Sequence, residues 1–467
     1  MEQTKPQGVK DLTVGPLFSK ILFFSLPLIA TALLQRCFNI ADTMMVGRWG
    51  GETAEECEIA LAAVGSCGSL SYLIVNFFLG LSAGAGVLVA HAMGAKKYED
   101  VEKVTHTAIL VSLVAGLFST IVGVLSTRIL LQWTGVAPEV LDEAVPYMRA
   151  VFFGITGTLI YNYAAACLRS AGDSARPLAF LTISGFVNVA LNFVSVVLLG
   201  LGALGVGIST AISNWVAAIL VVIYMARLEG PLHLSFSRLR PDKQKLGGML
   251  KIGLPSGIQG IFFSVSNVMV QAGVNSFPVS TVAGNTAAAT LGDIIYCTQN
   301  ALYHAALAFV GQHAGAGKYR RMVKSFWYCV LIVVSVGVLS GVGIYLFGEP
   351  LLSLFAPGNE EAISAGMERL AVMALPYFLC GMQEVGSGTL RALGKSTTAM
   401  VIGFFGVCVI RIIWIYTVFR AIHTPVILYL TYPISWLFLV IAFYVFCFVE
   451  MRRYKRRLDA GVITPIE

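Results

Sequence analysis

LRSAGDSARP, residues 168–177, is a short polar loop between two long apolar runs. LRALGKSTTA, residues 390–399, repeats its Leu-Arg pair and the spacing from that pair to a glycine. Arg169 and Arg391 lie 222 positions apart in a chain of 467 residues. A loop that occurs twice, about half the chain apart, predicts that the chain is a duplicated unit.

The composition limits what such a unit can be. Charged residues make up 12% of the chain, hydrophobic residues 57%, and the mean hydropathy is +0.79. A soluble domain carries about twice that charge. The apolar runs are each about 20 residues or longer, enough to cross a hydrocarbon core of roughly 30 Å. Because the runs are continuously apolar and not alternating, they predict an all-α polytopic membrane protein and exclude a transmembrane barrel.

Twelve transmembrane helices are predicted along the chain. The polar N-terminal segment, residues 1–16, has no apolar core or cleavage site of a signal peptide, so the first span is expected to remain uncleaved. The predicted spans are 20–46, 60–90, 104–126, 147–168, 178–200, 204–226, 249–274, 281–312, 322–347, 370–390, 398–419 and 425–449.

The distribution of positive charge predicts the orientation of these spans. The two termini, the loops after even-numbered spans and the span ends next to them hold 25 of the 32 lysines and arginines. This asymmetry places both termini in the cytoplasm of a multi-pass protein in the cell (inner, plasma) membrane. It also accounts for the net charge of +7, and we expect no nucleic-acid partner because the basic residues are scattered and lack stacking aromatics. The nine cysteines include no C-x-x-C and predict neither a disulfide framework nor a metal site.

Other landmarks repeat with nearly the same offset as the two arginines. A Leu-Pro pair followed by an asparagine twelve residues after the proline occurs in spans 1 and 7, and similar basic loops follow spans 2 and 8. The matched residues are Pro27 and Pro255, Asn39 and Asn267, and Tyr98 and Tyr319. Six spans per copy is an even number, so both copies enter the membrane in the same direction. The sequence therefore predicts two parallel six-helix repeats around a central cleft, as lobes 1–226 and 249–467 joined by a cytoplasmic loop, 227–248.

Ionisable residues inside the spans are candidate functional groups because charge in hydrocarbon is costly. They are Arg36, Asp42, Asp293, Glu384 and Arg411. Gln35, Asn39 and Asp42 are spaced by four and three residues and share one helix face. Such a polar face is expected to line a cavity or to bind a neighbouring helix. A buried salt bridge to an arginine is the structural alternative for Asp42.

Two further spans supply neutral polar groups at helical spacing. Asn188 and Asn192 lie four residues apart in span 5, and Thr210 and Asn214 are related in the same way in span 6. With Asp42 they form an oxygen-rich set of the kind that Na⁺ accepts. Hydrogen bonding between helices is the alternative role for the asparagines.

The second lobe carries an acid and a base within its spans. Glu384 lies seven residues before Arg391, and neutral Asn162 lies seven before Arg169. Arg411 needs an anion at its depth, and Glu384 is the obvious partner. The spacing leaves open whether such a pair is static or is broken during transport.

Taken together, these motifs resemble the multidrug and toxic compound extrusion (MATE) transporters of bacterial type. The resemblance lies in the six-plus-six spans, the Leu-Pro and LR-x-x-G motifs, FNIADTMMVGRWGG (38–51) and MQEVGSGTLRALG (382–394), and it covers about 17–449. It implies a transporter and not an enzyme. It also implies alternating access, with export of organic, often cationic or amphipathic, compounds (xenobiotics) by antiport with H⁺ or Na⁺, and no cofactor.

The resemblance also assigns roles to residues. It maps Asp42 onto the first-lobe carboxylate associated with ion coupling. Some members have a second acid where this chain has Asn192, and others have an acid in span 7 where this chain has Phe262-Phe263-Ser264. The ion-coupling candidates are Asp42, Asn188, Asn192, Thr210, Glu384 and Arg411, with a possible Na⁺ ion at Asp42, Asn188 and Asn192. The substrate-binding candidates are Gln35, Phe38, Asn39, Asn162, Asn267, Asp293 and Gln383.

Two other functional classes stay open at this point. A flippase for lipid-linked substrates could use the same duplicated architecture, although only Arg36 and Arg411 supply positive charge within the spans. A membrane enzyme is disfavoured because no H-E-x-x-H or similar set occurs, and no nucleotide motif supports a primary pump. The expected partners are small organic substrates and the lipid bilayer, with no nucleotide, for a chain that acts as a monomer.

The predicted orientation can be tested by labelling. In a background without native cysteines, cysteines introduced at Lys97, Lys243 and Lys395 should resist an impermeant thiol reagent in whole cells. A cysteine at Glu55 or Glu360 should be labelled, because these positions lie on the opposite side. Labelling of Lys243→Cys from outside the cell would overturn the orientation.

Overall fold

A computed structural model of the chain describes residues 10–462, except for the side chains of Ser69 and Tyr72. Within that range the regular secondary structure is entirely helical. The helices are α1 Leu17–Trp49, α2 Ala54–Gly94, α3 Tyr98–Trp133, α4 Pro138–Ser170, α5 Ala175–Asn192, α6 Gly202–Arg227, α7 Lys243–Val274, α8 Val279–Gly315, α9 Tyr319–Leu346, α10 Gly348–Ser353, α11 Glu360–Met373, α12 Tyr377–Ala392, α13 Ser396–Gly403, α14 Ile410–Trp414 and α15 Pro425–Asp459.

Each of the twelve predicted spans falls on a helix or on a run of consecutive helices, which confirms the all-α membrane fold. In the described range, ten helical segments are long and apolar enough to cross a membrane, and a bent pair formed by α11 and α12 makes an eleventh. The one remaining predicted span, the eighth (281–312), lies on α8, a 37-residue helix that carries several polar residues. These include Asn285, Asp293, Gln299, Asn300 and His304.

The tenth predicted span is broken, which the sequence analysis did not predict. α11 ends at Met373, α12 begins at Tyr377, and the two axes differ by 50°. Pro376 lies at the break, where it lacks the N–H that a continuous helix would need. The break changes the setting of Arg369, which directly precedes the predicted span 370–390. The structure buries Arg369 within α11.

Spans 5 and 11 contain π-helical segments, in which backbone hydrogen bonds connect residues i and i+5. One runs over Phe193–Leu198 directly after α5. Span 11 contains two, Phe404–Val409 before α14 and Ile415–Phe419 after it. The segments that start at Phe193 and Ile415 are 222 positions apart, the same offset as Arg169 and Arg391. The duplication therefore includes irregular backbone geometry, which no sequence motif predicted.

The repeated LR-x-x-G loops have the same backbone structure. Gly172 and Gly394 adopt φ values of +94° and +74°, a left-handed conformation that glycine reaches without strain. Leu168 accepts a 2.9 Å hydrogen bond from the Asp173 N–H, and the corresponding bond from Lys395 to Leu390 is 2.8 Å. This is the Schellman pattern, which satisfies the last carbonyl groups of α4 and α12.

The arginine of the second loop is buried and anchors the end of α12. Arg391 Nη1 donates to the Tyr303 hydroxyl over 2.6 Å, and Nη2 donates to Gln259 Oε1 over 2.8 Å. These partners lie on α8 and α7, so the loop is held to both neighbouring helices. Arg169 is buried in the same way in the first copy.

The chain forms two compact units. Unit 1 comprises Ala30–Val89 and Lys97–Gly253 with Lys10, and unit 2 comprises Asp11–Ile29, Ala90–Lys96 and the chain from Leu254 onward. The predicted lobes were defined by the sequence repeat, whereas the two units are defined by which residues pack together. The first half of α1 is therefore grouped with the C-terminal half of the chain. The divisions within α1 and α7 fall close to Pro27 and Pro255.

Unit 1 is packed around α4. Gly154 and Gly157 of α4 approach α6 so closely that an added Cβ atom would lie 2.8 Å from Ala211 and 2.9 Å from Asn214. This is the small-residue contact that holds membrane helices together when lipid offers no hydrophobic driving force. The core around it includes Leu131, Met148, Phe152, Leu159 and Val206.

Unit 2 has its largest core where α8, α9, α12 and α15 meet. Phe309, Phe326 and Phe443 are almost fully buried there, and Phe24 of α1 packs edge-on against Phe309 with ring centroids 5.5 Å apart. The segment before α1 joins the same unit through polar contacts. Gln312 Oε1 accepts a 3.2 Å hydrogen bond from the backbone N–H of Leu12.

The predicted connecting loop, 227–248, is ordered against the first turns of α3. His106 Nε2 accepts the Ser235 N–H over 3.0 Å, and Arg238 forms a 2.9 Å ion pair with Glu102. Asp242 accepts the Lys245 N–H over 2.9 Å in the first turn of α7. This backbone hydrogen bond lowers the pKa of Asp242 below its usual value. The segment is therefore part of unit 1 and not a free linker.

The glycine caps predict a specific pattern of stability. No atom would touch a Cβ added at Gly394, so Gly394→Ala should cost about 1–2 kcal/mol through left-handed backbone strain alone. Gly247→Ala is the matched control, because Gly247 is exposed, helical and equally free of neighbours. It should stabilise the protein by about 0.5–1 kcal/mol. Thermal unfolding of the purified protein in detergent measures both, and equal shifts would contradict the assignment.

Candidate functional site

Asp42 of α1 lies against two asparagines of α5. Asn192 Nδ2 donates to Asp42 Oδ1 over 2.5 Å and lies 3.4 Å from Asn188 Oδ1. Asn192 is completely buried, Asn188 is buried and Asp42 is half-buried. The structure thus brings together three of the residues that the sequence analysis grouped. It shows no ion pair between Asp42 and an arginine in the described range, so the structural alternative for this carboxylate is not observed.

The backbone explains why these three side chains meet. Asn188 and Asn192 are one helical turn apart on α5, and the π segment begins directly after Asn192. Gly185 of α5 allows the ring of Phe38 to lie where a Cβ atom would otherwise be, which brings α1 close to α5. Phe38, a predicted substrate-binding residue, is therefore half-buried in the contact between these helices.

The site is rich in oxygen atoms and poor in donors. Asn192 Oδ1 is buried and accepts no hydrogen bond from any described residue. Asn188 Oδ1 and Asp42 Oδ1 are the neighbours of the Asn192 amide nitrogen, so three oxygen-bearing side chains meet with the Asn192 amide N–H as their donor. Carboxylate and amide oxygens are the ligands that hard cations prefer. The arrangement can hold a proton on Asp42 or accept a small cation.

Thr210 does not join this group. It is half-buried on α6, where its carbonyl accepts a hydrogen bond from Ser213 Oγ, and its hydroxyl makes no hydrogen bond to Asp42 or the two asparagines. Two serines that the sequence analysis missed tie the π segment to α6 instead. Ser195 Oγ and Ser209 Oγ lie 3.0 Å apart, and both donate to the Gly205 carbonyl. The signal for Ser195 was its position three residues after Asn192, on the same helix face.

Arg411 is buried in unit 2 without Glu384. Its Nε donates to Ser435 Oγ over 3.1 Å, and its Nη1 donates to Asn267 Oδ1 over 3.1 Å and to Ser266 Oγ over 3.4 Å. The Tyr432 ring centroid lies 4.5 Å from its Cζ. No Glu384 oxygen comes within 4.0 Å of the Arg411 nitrogens, so the predicted pairing is wrong for this structure.

The π segments supply the physical reason for the wrong pairing. Arg411 lies in a short α-helix with a π segment on each side, and each π turn takes about one residue more than an α turn. Side-chain directions inferred from a regular 3.6-residue period therefore do not hold along this span. Arg411 faces α7 and α15 as a result. Glu384 is half-buried on α12 and has no hydrogen bond or ion pair with any described residue.

The remaining predicted substrate residues lie on several helices. Gln35 and Asn39 are exposed on α1, on the same helix face as Asp42. Asn162 is half-buried on α4. In unit 2, Asn267 is exposed on α7 and Asp293 is half-buried on α8. Gln383 is buried, with its Nε2 atom 3.6 Å from Cys380 Sγ and its Oε1 atom without a donor among the described residues. The described residues contain no cluster of three or more His, Cys, Asp or Glu side chains that could hold a metal ion.

Comparison with known proteins gives the family. The MatE family model matches residues 27–194 and 255–417, two segments that begin at the paired prolines Pro27 and Pro255. This chain belongs to the MatE family. It is therefore a membrane transporter and not an enzyme, as the sequence analysis predicted, and its two matched segments correspond to the two six-helix repeats.

Curated relatives and solved structures agree with this assignment. The probable multidrug resistance protein YoeA of Bacillus subtilis is 27% identical over 393 residues, covering 82% of this chain and 83% of its own length. The probable multidrug resistance protein NorM of Thermotoga maritima is 23% identical over 407 residues, covering 84% of each chain. A structure titled as the outward-facing conformation of a multidrug resistance MATE family transporter of the MOP superfamily superposes with a TM-score of 0.88. It is 19% identical and covers 97% of this chain and 100% of its own.

The separation of Glu384 from Arg411 predicts a mild effect of neutralising the acid. Removing the partner of a buried ion pair costs about 3–5 kcal/mol, because it leaves a buried unpaired charge. Since Glu384 has no such partner here, Glu384→Gln should change the free energy of unfolding by about 1 kcal/mol or less. Thermal unfolding in detergent checks this, with Gln383→Glu, which buries a new acid one position earlier, as the destabilised comparison. A loss of several kcal/mol in Glu384→Gln would show that the acid is paired.

Proposed function

We propose that this member of the MatE family is a secondary active transporter that exports organic, cationic or amphipathic compounds by antiport with H⁺ or Na⁺. The observation that carries the proposal is the contact of Asp42 with Asn192, beside a buried amide oxygen that has no donor. The protein works in the cell membrane with both termini in the cytoplasm, and alternating access exposes the site to each side in turn.

Asp42 is suited to ion coupling because its charge is weakly compensated. Within the described range it accepts one hydrogen bond, from the neutral amide of Asn192, and it forms no ion pair. A carboxylate in this setting is stabilised by binding a proton or a cation. Because Asp42 is only half-buried, the ion can reach it. Binding of the ion removes the net charge of the site, which changes the free-energy cost of burying the Asp42 carboxylate.

The choice between H⁺ and Na⁺ depends on the asparagine oxygens. A proton needs only one Asp42 oxygen, whereas Na⁺ needs several oxygen ligands at once. Asn188 and Asn192 offer amide oxygens beside the carboxylate, and the Asn192 oxygen is unoccupied by any donor. If Na⁺ is the coupling ion, Asn192→Leu should abolish the dependence of export on Na⁺. If H⁺ is the coupling ion, the same variant should still respond to a protonophore.

The face of α1 next to Asp42 is suited to an amphipathic substrate. Gln35 and Asn39 are exposed, and Asp42 lies one turn further along the same face. An organic cation bound there would compete with the coupling ion for the Asp42 carboxylate. Such competition allows one site to release the substrate when it binds the ion. The curated relatives are named as multidrug resistance proteins, which supports organic compounds as the substrate class.

Export measurements test the proposal. Cells that express the protein should accumulate less of a fluorescent organic cation, and Asp42→Asn should abolish the difference because the amide keeps the shape but cannot titrate. The matched control is Asp142→Asn, since Asp142 is an exposed carboxylate with only a 3.8 Å surface contact to Arg128. Removal of Na⁺ or addition of a protonophore then identifies the ion. Export by Asp42→Asn at the wild-type rate, with both variants present at equal levels in the membrane, would overturn the role of Asp42.

A further inference from the structure

Two buried arginines of unit 2 share one tyrosine ring. The Tyr432 ring centroid lies 4.5 Å from Arg411 Cζ and 5.9 Å from Arg369 Cζ. Arg411 is 2% exposed and Arg369 is 8% exposed. Arg369 also lies 5.6 Å from the ring of Tyr429. The sequence offered no reason to connect these arginines, which are 42 positions apart.

All the partners of these arginines are neutral. Arg411 donates to Ser266, Asn267 and Ser435, and Arg369 donates to the backbone and side-chain oxygens of Asn285. Among the described residues no carboxylate oxygen lies within 4.0 Å of either guanidinium group. Neutral acceptors and aromatic rings reduce the cost of burying a cation, but they leave its charge in place.

Two like charges next to one ring make the arrangement more costly than either arginine alone. They repel each other in a setting that screens charge poorly, and each has lost its hydration. An anion between or beside the two guanidinium groups would offset both their repulsion and the cost of their lost hydration. The guanidinium group presents paired N–H donors that match the two oxygens of a carboxylate.

A tyrosine whose ring lies beside Arg369 has a hydroxyl group without a partner among the described residues. Tyr429 is 1% exposed, and its hydroxyl group makes no hydrogen bond with any described residue. An unsatisfied buried hydroxyl is costly and points to a missing acceptor. The Arg411 side of the cluster can be reached, because Asn267 is exposed and Tyr432 is only half-buried.

We propose that Arg369 and Arg411 form a binding site for the carboxylate group of an organic compound, separate from the Asp42 site. Aromatic side chains favour an organic ligand over a small inorganic anion, since Trp436 packs 5.8 Å from Tyr432 and 5.1 Å from Tyr377, measured between ring centroids. That the ligand is a transported compound rests on the proposed function. The site extends the expected substrates from organic cations to compounds that carry a carboxylate.

A series of benzene derivatives of similar size tests the charge preference on the unmodified protein. Benzoate, benzamide and benzylamine are added to the purified full-length chain in detergent at constant ionic strength, and thermal unfolding is followed. Benzoate should raise the unfolding temperature in a saturable way, because a ligand that binds the folded state stabilises it. The neutral amide and the cationic amine should not. Equal shifts with benzoate and benzamide would overturn the proposal.

Variants then locate the site. Arg411→Gln and Arg369→Gln should each weaken benzoate binding by about tenfold or more, since a hydrogen bond to a charged group is lost. Arg420→Gln is the matched control, because Arg420 is an exposed arginine in the same unit, and it should bind benzoate like the wild type. Arg411→Lys keeps the charge but not the paired donors and should bind with intermediate affinity. Unchanged binding in both glutamine variants would overturn the site.

This experiment separates the anion site from the proposed export function. Benzoate binding in detergent needs no ion gradient and no transport, so it can succeed where the Asp42 export assay fails. Conversely, if the wild-type protein exports organic cations but does not bind benzoate, the proposal of the anion site is overturned and the proposed antiport is unaffected. If an arginine variant fails to fold, the three-probe series on the wild-type protein still decides whether a carboxylate is recognised.

Discussion

Within the hydrocarbon layer every polar group has to find its partner inside the protein, because lipid supplies neither donors nor acceptors. Most of the backbone meets this requirement by forming helices. Where helices end near the repeated LR-x-x-G loops, Gly172 and Gly394 turn the chain so that the final carbonyls of α4 and α12 are still satisfied. The buried side chain of Arg391, held by Tyr303 and Gln259, fixes the second of these loops to its neighbours.

Side chains within the spans meet the same requirement with different charged groups in the two units. Unit 1 holds one carboxylate, Asp42, against the amides of α5. Unit 2 buries Arg369 and Arg411, as well as Arg391, against neutral oxygens and tyrosine rings. The duplicated sequence makes the difference clear, since the position that corresponds to Asp42 in span 7 is the buried Val270. The two copies keep one scaffold, and the second lacks the acid that the first carries at this position.

The π segments connect this scaffold to its candidate sites. The segment Phe193–Leu198 begins next to Asn192, and Arg411 lies between the other two. A π turn disturbs the regular face of a helix and redirects the side chains beyond it, which is why such turns are frequent at functional sites. In this protein one segment directly follows the asparagine that contacts Asp42, and the other two flank Arg411, which faces away from Glu384. The same irregularity occurs at the same offset in both copies, so it belongs to the duplicated unit.

The amino-acid sequence by itself determined the class of fold, the duplication and the group formed by Asp42, Asn188 and Asn192. The first two follow from hydropathy and from repeated motifs, and the third from polar residues at helical spacing in spans 1 and 5 together with the family resemblance. Only the tertiary structure decided the break before Tyr377, the partners of Arg411 and the meeting of Arg369 with Arg411 at one tyrosine ring. Those features depend on how irregular backbone turns orient side chains from four different helices. A regular helical period cannot predict such orientations, because a single π turn or a proline break changes the direction of every side chain that follows it.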